Sequence, residues 1–227
     1  MSVPAIKRFV VPLVIVLLVL AGCFVKPASD DNTVYKGKVV SVIDGDTVRV
    51  SVNGREHLVR MIGVDAPEYT KEKEPYGRES AAFTEQRLLG KPVYLERDVA
   101  ETDRYGRMLA YIWTEDPAKC EPGSARHKMF NALLVAEGYA VVMTVPPNIK
   151  YADLFAALQA EARRNNKGLW ALDVDPEPYY VANRSSKKFH RPSCPHAGKV
   201  SSQNRVTFSS RDEAFDNGFE PCRQCNP

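Results

Sequence analysis

The chain has 227 residues, 26% of them charged and 44% hydrophobic, a balance that excludes wholesale disorder and leaves room for one ordinary domain and a small companion. Its net charge of +3 is too small to mark a nucleic-acid binder by itself. That charge is unevenly spread: Asp30–Leu172 holds 20 Lys+Arg against 21 Asp+Glu, net −1, whereas Tyr179–Pro227 holds 8 against 4, net +4.

The first 22 residues have the plan of a secretory leader. Lys7 and Arg8 form a positive start, Phe9 to Leu20 an apolar run, and Ala21-Gly22 a small-residue site. An uncleaved membrane anchor is the alternative reading of the same segment. Leu20-Ala21-Gly22-Cys23 resembles the bacterial lipobox, which implies cleavage before Cys23 and a lipid on its thiol. Residues 24–33 then read as a polar tether, and the rest of the chain is expected outside the cytoplasm, held at the cell envelope.

From Val34 to Ile62 the pattern is that of strands, with Asn53-Gly54 supplying a tight hairpin turn. Val93–Glu96 and Met108–Trp113 read as two further strands. Helices are predicted over Tyr76–Leu89, Ala125–Glu137 and Tyr151–Arg164, the last with an apolar stripe of Tyr151, Leu154, Phe155, Leu158 and Ala162. Gly90, Gly138 and Gly168 each follow a helix, where a left-handed cap is expected. Five short strands with helices appended point to an α+β class and a small five-stranded OB-type β-barrel with three helices, over residues 34–172. Residues 173–178, with Pro176 and Pro178, read as a linker into a tail module, residues 179–227.

Three stretches carry chemistry. In Asp44-Gly45-Asp46-Thr47, Asp46 shares strand parity with Val48, Val50 and Val52 and so heads an apolar row. Arg60 interrupts another, with Leu58, Ile62 and Val64. A charge aimed at a core needs a partner or a task, and a structural ion pair between the two is the simpler reading. Asp65 and Glu68 then follow in Asp65-Ala66-Pro67-Glu68, and Gly106 aims Arg107 from Thr102-Asp103-Arg104-Tyr105-Gly106-Arg107. Asp46 and Asp65 offer hard oxygens to calcium or a similar cation, with carbonyls and waters completing the shell. Glu68 is placed to act as general base or to orient the attacking water, and Arg60 and Arg107 to hold phosphate oxygens. Tyr105 can stack on a substrate or donate to a phosphate. Hydrolysis of a phosphodiester requires lowering a barrier by on the order of 20 kcal/mol, and metal with arginines is a set able to do it.

Together these stretches, in this order, resemble the thermonuclease family, the staphylococcal-nuclease-like domain. The resemblance spans about Val34 to Trp170 and includes Pro147-Asn148 and Gly168-Leu169-Trp170. It implies calcium-dependent cleavage of DNA and RNA, single strands preferred, by a monomer that leaves 3′-phosphates. It also implies Asp46 and Asp65 as metal ligands together with the Ala66 carbonyl, Arg60 and Arg107 on phosphate, and Glu68 as base. The chain departs from the family at Met143 and Val145, where its founding member has nucleotide-flanking tyrosines. A protein that binds nucleic acid on such a barrel without cutting is the rival reading, and it predicts lost carboxylates or arginines. The loop Tyr69–Pro75 adds Lys71 and Lys73, offset by Glu72 and Glu74.

In the tail, His190-x3-Cys194 and Cys222-x2-Cys225 have the spacing of a tetrahedral zinc site. Disulfide pairing is the rival reading for an exported chain, and His196 is a competing ligand. Phe189-His190, Asn204, Val206, Phe208 and Gly218 through Cys222 resemble the zinc-binding domain of the Ada alkylation-response protein. In that protein the first ligand is a methyl-accepting cysteine; His190 stands here, so methyl transfer is not expected. The module reads as structural, with Arg184, Lys187, Lys188 and Arg191 forming either a basic surface for nucleic acid or a merely solvated one. Cys120 receives no role.

Overall fold

A computed structural model describes residues 34–70, 74–172 and 174–227. The leader, Cys23, the tether and the loop lysines Lys71 and Lys73 therefore lie outside the described residues. The described residues all fall within one compact unit.

The chain opens with β1 (Val34–Asp44), β2 (Thr47–Val52) and β3 (Arg55–Met61), followed by the short β4 (Val64–Asp65). Next come α1 (Gly77–Leu88), β5 (Pro92–Glu96) and β6 (Met108–Trp113). The strands close into a barrel in the order β1-β2-β3-β6-β5, with β1 also paired to β5. One strand can serve both neighbours because β1 is 11 residues long and its register against β2 slips twice, between Val39 and Ser41 and between Val42 and Asp44. Such irregularities bend a strand, which closure demands. The β2–β3 hairpin turns at Asn53 and Gly54, both with positive φ (50° and 79°), as the Asn-Gly pair predicts. β3 runs parallel to β6, with Arg60 opposite Leu109.

The second predicted helix is broken. α2 (Ala125–Lys128) and α3 (Phe130–Ala136) are interrupted at Met129, whose backbone is extended. Met129 bridges to Trp113, and the Thr114 N–H donates to the Lys128 carbonyl at 2.9 Å. The barrel's own edge thus takes the residue that would have continued the helix. After β7 (Val141–Val142), which pairs with β4, α4 (Ala152–Arg164) buries Phe155, Leu158 and Ala162 from the predicted stripe. Gly90 and Gly138 have positive φ just past their helices, as expected of left-handed caps. α4 instead closes on Asn166 (φ 48°), and Gly168, also at positive φ, opens the 3-10 turn Gly168–Ala171 that follows.

The tail builds its own sheet from β8 (Tyr180–Asn183), β9 (Lys188–His190), β10 (Arg205–Phe208) and β11 (Glu220–Pro221), in the order β10-β8-β9-β11. Two short helices accompany it, α5 (Pro195–Gly198) and α6 (Arg211–Asp216). Its small core of Tyr180, Phe189, Phe208, Phe215 and Phe219 receives Trp170 from the barrel side, edge-on to Phe215 with ring centroids 5.0 Å apart. Arg163 of α4 reaches Asp212 and Asp216 at 3.2 and 2.5 Å. The Thr144 N–H donates to Glu220 at 3.1 Å. Apolar and ionic contacts therefore dock the tail against the barrel.

Asn131 on α3 joins helix to barrel. It is fully buried; its Oδ1 accepts from the Ile112 N–H at 2.8 Å and its Nδ2 donates to the Ile62 carbonyl at 2.9 Å. Neither backbone group has water to fall back on. Asn131→Ala should therefore lower the unfolding free energy by roughly 2–4 kcal/mol in urea titrations, since each orphaned buried group costs about 1–3 kcal/mol.

Candidate active site and metal cluster

The turn between β1 and β2 sets the first carboxylate. A Cβ on Gly45 would lie 2.0 Å from Ser80 Oγ and 2.6 Å from Ala66 Cβ, so only glycine lets this turn wedge between α1 and the loop after β4. The Gly45 carbonyl accepts from Thr84 Oγ1 at 2.6 Å, and Ser80 Oγ donates to the Tyr139 carbonyl at 2.8 Å. The glycine of the Asp-Gly-Asp-Thr stretch thus serves helix packing as well as the turn.

With the turn wedged there, Asp46 and Asp65 converge. Both are buried, 4% and 8% exposed, and so is Arg60 at 6%. Arg60 Nη2 lies 3.0 Å from Asp46 Oδ2 and 2.9 Å from Asp65 Oδ1. Its Nη1 donates to the Met61 and Val64 carbonyls at 2.8 and 2.7 Å. The ion pair that the sequence suggested is present, and it is a triad. Asp46 also accepts from the Ala66 N–H at 2.7 Å and from Thr47 Oγ1 at 3.0 Å. Burial, reinforced by Asp44 and Asp65, pushes the Asp46 carboxyl up to about 7 despite Arg60 and the Ala66 N–H. Arg60 does not offset the burial of Asp46 among its neighbouring carboxylates, and a hard cation on their oxygens suits the donor set.

Glu68 lies one short loop beyond, half-buried. Its N–H donates to Glu74 Oε2 at 2.8 Å, and its carbonyl accepts from the Glu74 N–H at 2.9 Å. Gly77 permits this loop to pass α1, since a Cβ there would lie 2.3 Å from the Glu68 carbonyl oxygen. Burial raises the Glu68 carboxyl, and Asp44, Glu74 and Asp65 add to the effect while Arg223 opposes it. These influences place Glu68 in the field of Asp44, Glu74 and the buried Asp65.

Arg107 closes the turn before β6. Asp103 Oδ1 accepts from the Tyr105 and Arg107 N–H groups at 2.9 and 3.0 Å, and Asp103 Oδ2 takes Arg107 Nε at 2.7 Å. Burial alone would raise the Asp103 carboxyl, but the Arg107 side chain and these N–H groups hold it below the ordinary value. Tyr105 is 68% exposed, with the Arg107 and Arg104 guanidinium carbons 5.6 and 4.7 Å from its ring centre. No hydrogen bond or ion pair joins Arg107 to the Arg60 triad among the described residues. The turn is tied down at its start instead. Buried Asn148 accepts from the Ala100 N–H at 2.7 Å and donates to the Ala100 carbonyl at 2.9 Å. This clamp gives the Pro147-Asn148 run a structural task. Val145 is 58% exposed, and Met143 donates its N–H to the Gly63 carbonyl at 3.0 Å.

In the tail, His190, Cys194, Cys222 and Cys225 bring one ligand atom each to within 4.8 Å of one another. Their cysteines are free thiols. His196 is exposed and lies outside the cluster, its ring centre 6.0 Å from that of His190. Burial lowers the His190 imidazole, with His196 and Lys188 adding to it, which favours the neutral ligand form. Burial pushes the Cys225 thiol up to about 12, while the His196 N–H and neighbouring donors overcome burial at Cys194 and lower it. A nitrogen and three sulfurs at this spacing suit zinc.

The tail also supplies a residue that sequence spacing passed over. Arg223, between the two cysteines of the Cys222-x2-Cys225 knuckle, grips Asp65: its Nε is 3.1 Å from Oδ2, and its Nη2 meets Oδ1. The module is therefore part of the nuclease-like centre as well as a structural appendage.

Comparison with known proteins agrees with both halves. Residues 58–172 match the family described as staphylococcal nuclease homologue, and residues 175–227 match the metal binding domain of Ada. The chain is 40% identical to the thermonuclease of Staphylococcus hyicus over 59% of its own length and 75% of that protein. It is 37% identical to the thermonuclease of Staphylococcus intermedius, covering 63% of this chain and 83% of the relative. Endonuclease YncB of Bacillus subtilis is 33% identical, over 63% of this chain and 62% of that protein.

Removing Arg60 would strip buried Asp46 of its guanidinium partner and leave Asp65 with Arg223 alone. Arg60→Ala should cost on the order of 3–5 kcal/mol of unfolding free energy, measured by urea titration in chelator. Arg107→Ala, losing one partly exposed ion pair, should cost about 1 kcal/mol or less in the same titration.

Proposed function

The chain belongs to the staphylococcal nuclease family and is a nuclease, and on that premise we propose a calcium-dependent endonuclease that cuts DNA and RNA, preferring single strands, and leaves 3′-phosphates. What carries this reading is the buried triad of Asp46, Arg60 and Asp65, with Glu68 in its electrostatic field. The non-cutting alternative requires lost carboxylates or arginines, and every one of them is in place. Asp46, Asp65 and the Ala66 carbonyl would hold the calcium ion. Bound there, calcium supplies positive charge against that developing on the phosphate.

The chain's own groups divide the remaining work. Glu68, raised by burial, accepts a proton from the attacking water. Arg107 presents its η nitrogens to phosphate oxygens, with Nε held by Asp103. Arg60 neutralises charge from inside the carboxylate pair. Tyr105, exposed beside Arg107, offers a face or a hydroxyl to the substrate. The tail holds a structural zinc ion at His190, Cys194, Cys222 and Cys225.

The same proposal places a monomer at the cell envelope, exported and tethered by lipid on Cys23. Its support is the Lys7–Cys23 pattern. Among the described residues no helix is long and apolar enough to cross a membrane.

The purified protein, incubated with single- and double-stranded DNA and with RNA, should cleave in calcium and stop in chelator, and end-labelling should find 3′-phosphates. Glu68→Gln and Arg107→Ala should each lose at least about a hundredfold in rate while keeping the fold. Chelator-resistant cleavage, or unchanged rates in both variants, would overturn the calcium mechanism. Metal analysis should find about one zinc per chain, lost in the paired Cys222→Ser and Cys225→Ser variant. Equal zinc in parent and variant would refute the assigned ligand set.

A further inference from the structure

Asp65 has two arginine partners, and they differ in freedom. Arg60 is buried, tied through Nη1 to two carbonyls and through Nη2 to Asp46 as well. Arg223 has a side chain 51% exposed, and its charged partner at ion-pair distance is Asp65. Between them the arginines engage both oxygens of Asp65: Oδ1 meets Nη2 of each, and Oδ2 accepts from Arg223 Nε. A carboxylate has about four lone-pair sites, and three are used here.

The backbone around Arg223 is held on both sides. Cys222 N–H donates to the Phe189 carbonyl and Asn226 N–H to the Cys222 carbonyl, each at 2.9 Å. Arg191 Nε donates to the Cys225 carbonyl at 3.2 Å, and Arg191 is itself paired with Glu177 at 2.8 Å. Glu220, three residues before Arg223, accepts from the Thr144 N–H at 3.1 Å and from Lys188 Nζ at 2.6 Å. A docked tail and a closed knuckle thus carry one guanidinium to one carboxylate.

We propose that Arg223 is a positioning residue of the nuclease centre, an internal cation that competes at Asp65 with the divalent ion and so sets the affinity with which the centre takes it. The inference rests on the reading that Asp46 and Asp65 hold calcium. Asp65 does not depend on Arg223 for its orientation, because Arg60 and the pairing of Asp65 with Val141 already fix it. What Arg223 adds is positive charge at the oxygens a hard cation needs. Like charges at such separations repel strongly even where solvent screens them. The arginine that gives way is the half-exposed one.

The test is calorimetric titration of calcium into the whole protein without nucleic acid. Arg223→Gln should bind calcium about tenfold more tightly than the parent. Arg223→Lys, which keeps a charge but loses the fork, should fall between them. Zinc content and thermal midpoint, measured on the same samples, should stay within error, which separates charge competition from undocking of the tail. Unchanged or weaker calcium binding in Arg223→Gln, with the parent binding normally, overturns this inference alone. A parent that takes up no calcium overturns it together with the calcium reading beneath it.

Discussion

Two carboxylates and one guanidinium share a buried site, and much of the barrel's local geometry serves to make that tolerable. A buried charge without compensation costs several kcal/mol. Arg60 answers both acids with one nitrogen and gives the other to the Met61 and Val64 carbonyls, which ties β3 to β4. Gly45 lets the β1–β2 turn come close enough, while Ser80 and Thr84 of α1 anchor its surroundings. The centre is therefore the place where turn, helix and strand bend meet.

This arrangement explains why the fold and the centre were unequally legible in the sequence. The strands, the Asn53-Gly54 hairpin, α1 and α4 announce themselves by period and turn chemistry, which are local. Asp46 and Arg60 stood out because each put a charge in an apolar row. The break at Met129 did not stand out, because it comes from a bridge to Trp113 on another strand. Asn131 and Asn148 have no periodic signature either; each is a buried amide answering backbone groups distant in sequence. The spacing of His190, Cys194, Cys222 and Cys225 is readable as a ligand set, whereas nothing local to that motif points Arg223, which lies inside it, toward an acid 158 residues away.

The tail's place in the molecule follows from sharing its contacts with the barrel. Trp170 completes an aromatic core that lies mostly beyond it, and Arg163 holds two acids of α6. Glu220 meets Thr144 between Met143 and Val145, so the module also rests on this stretch of the barrel.

Arg223 and Asp65 lie 158 residues apart in sequence, which gives their contact a place in time as well as space. Closing so long a loop is entropically unfavourable until the intervening chain has already folded. Barrel and knuckle must both form before this pair can meet. Arg60 reaches the two acids from within the barrel, whereas the second arginine reaches Asp65 only where the tail is docked.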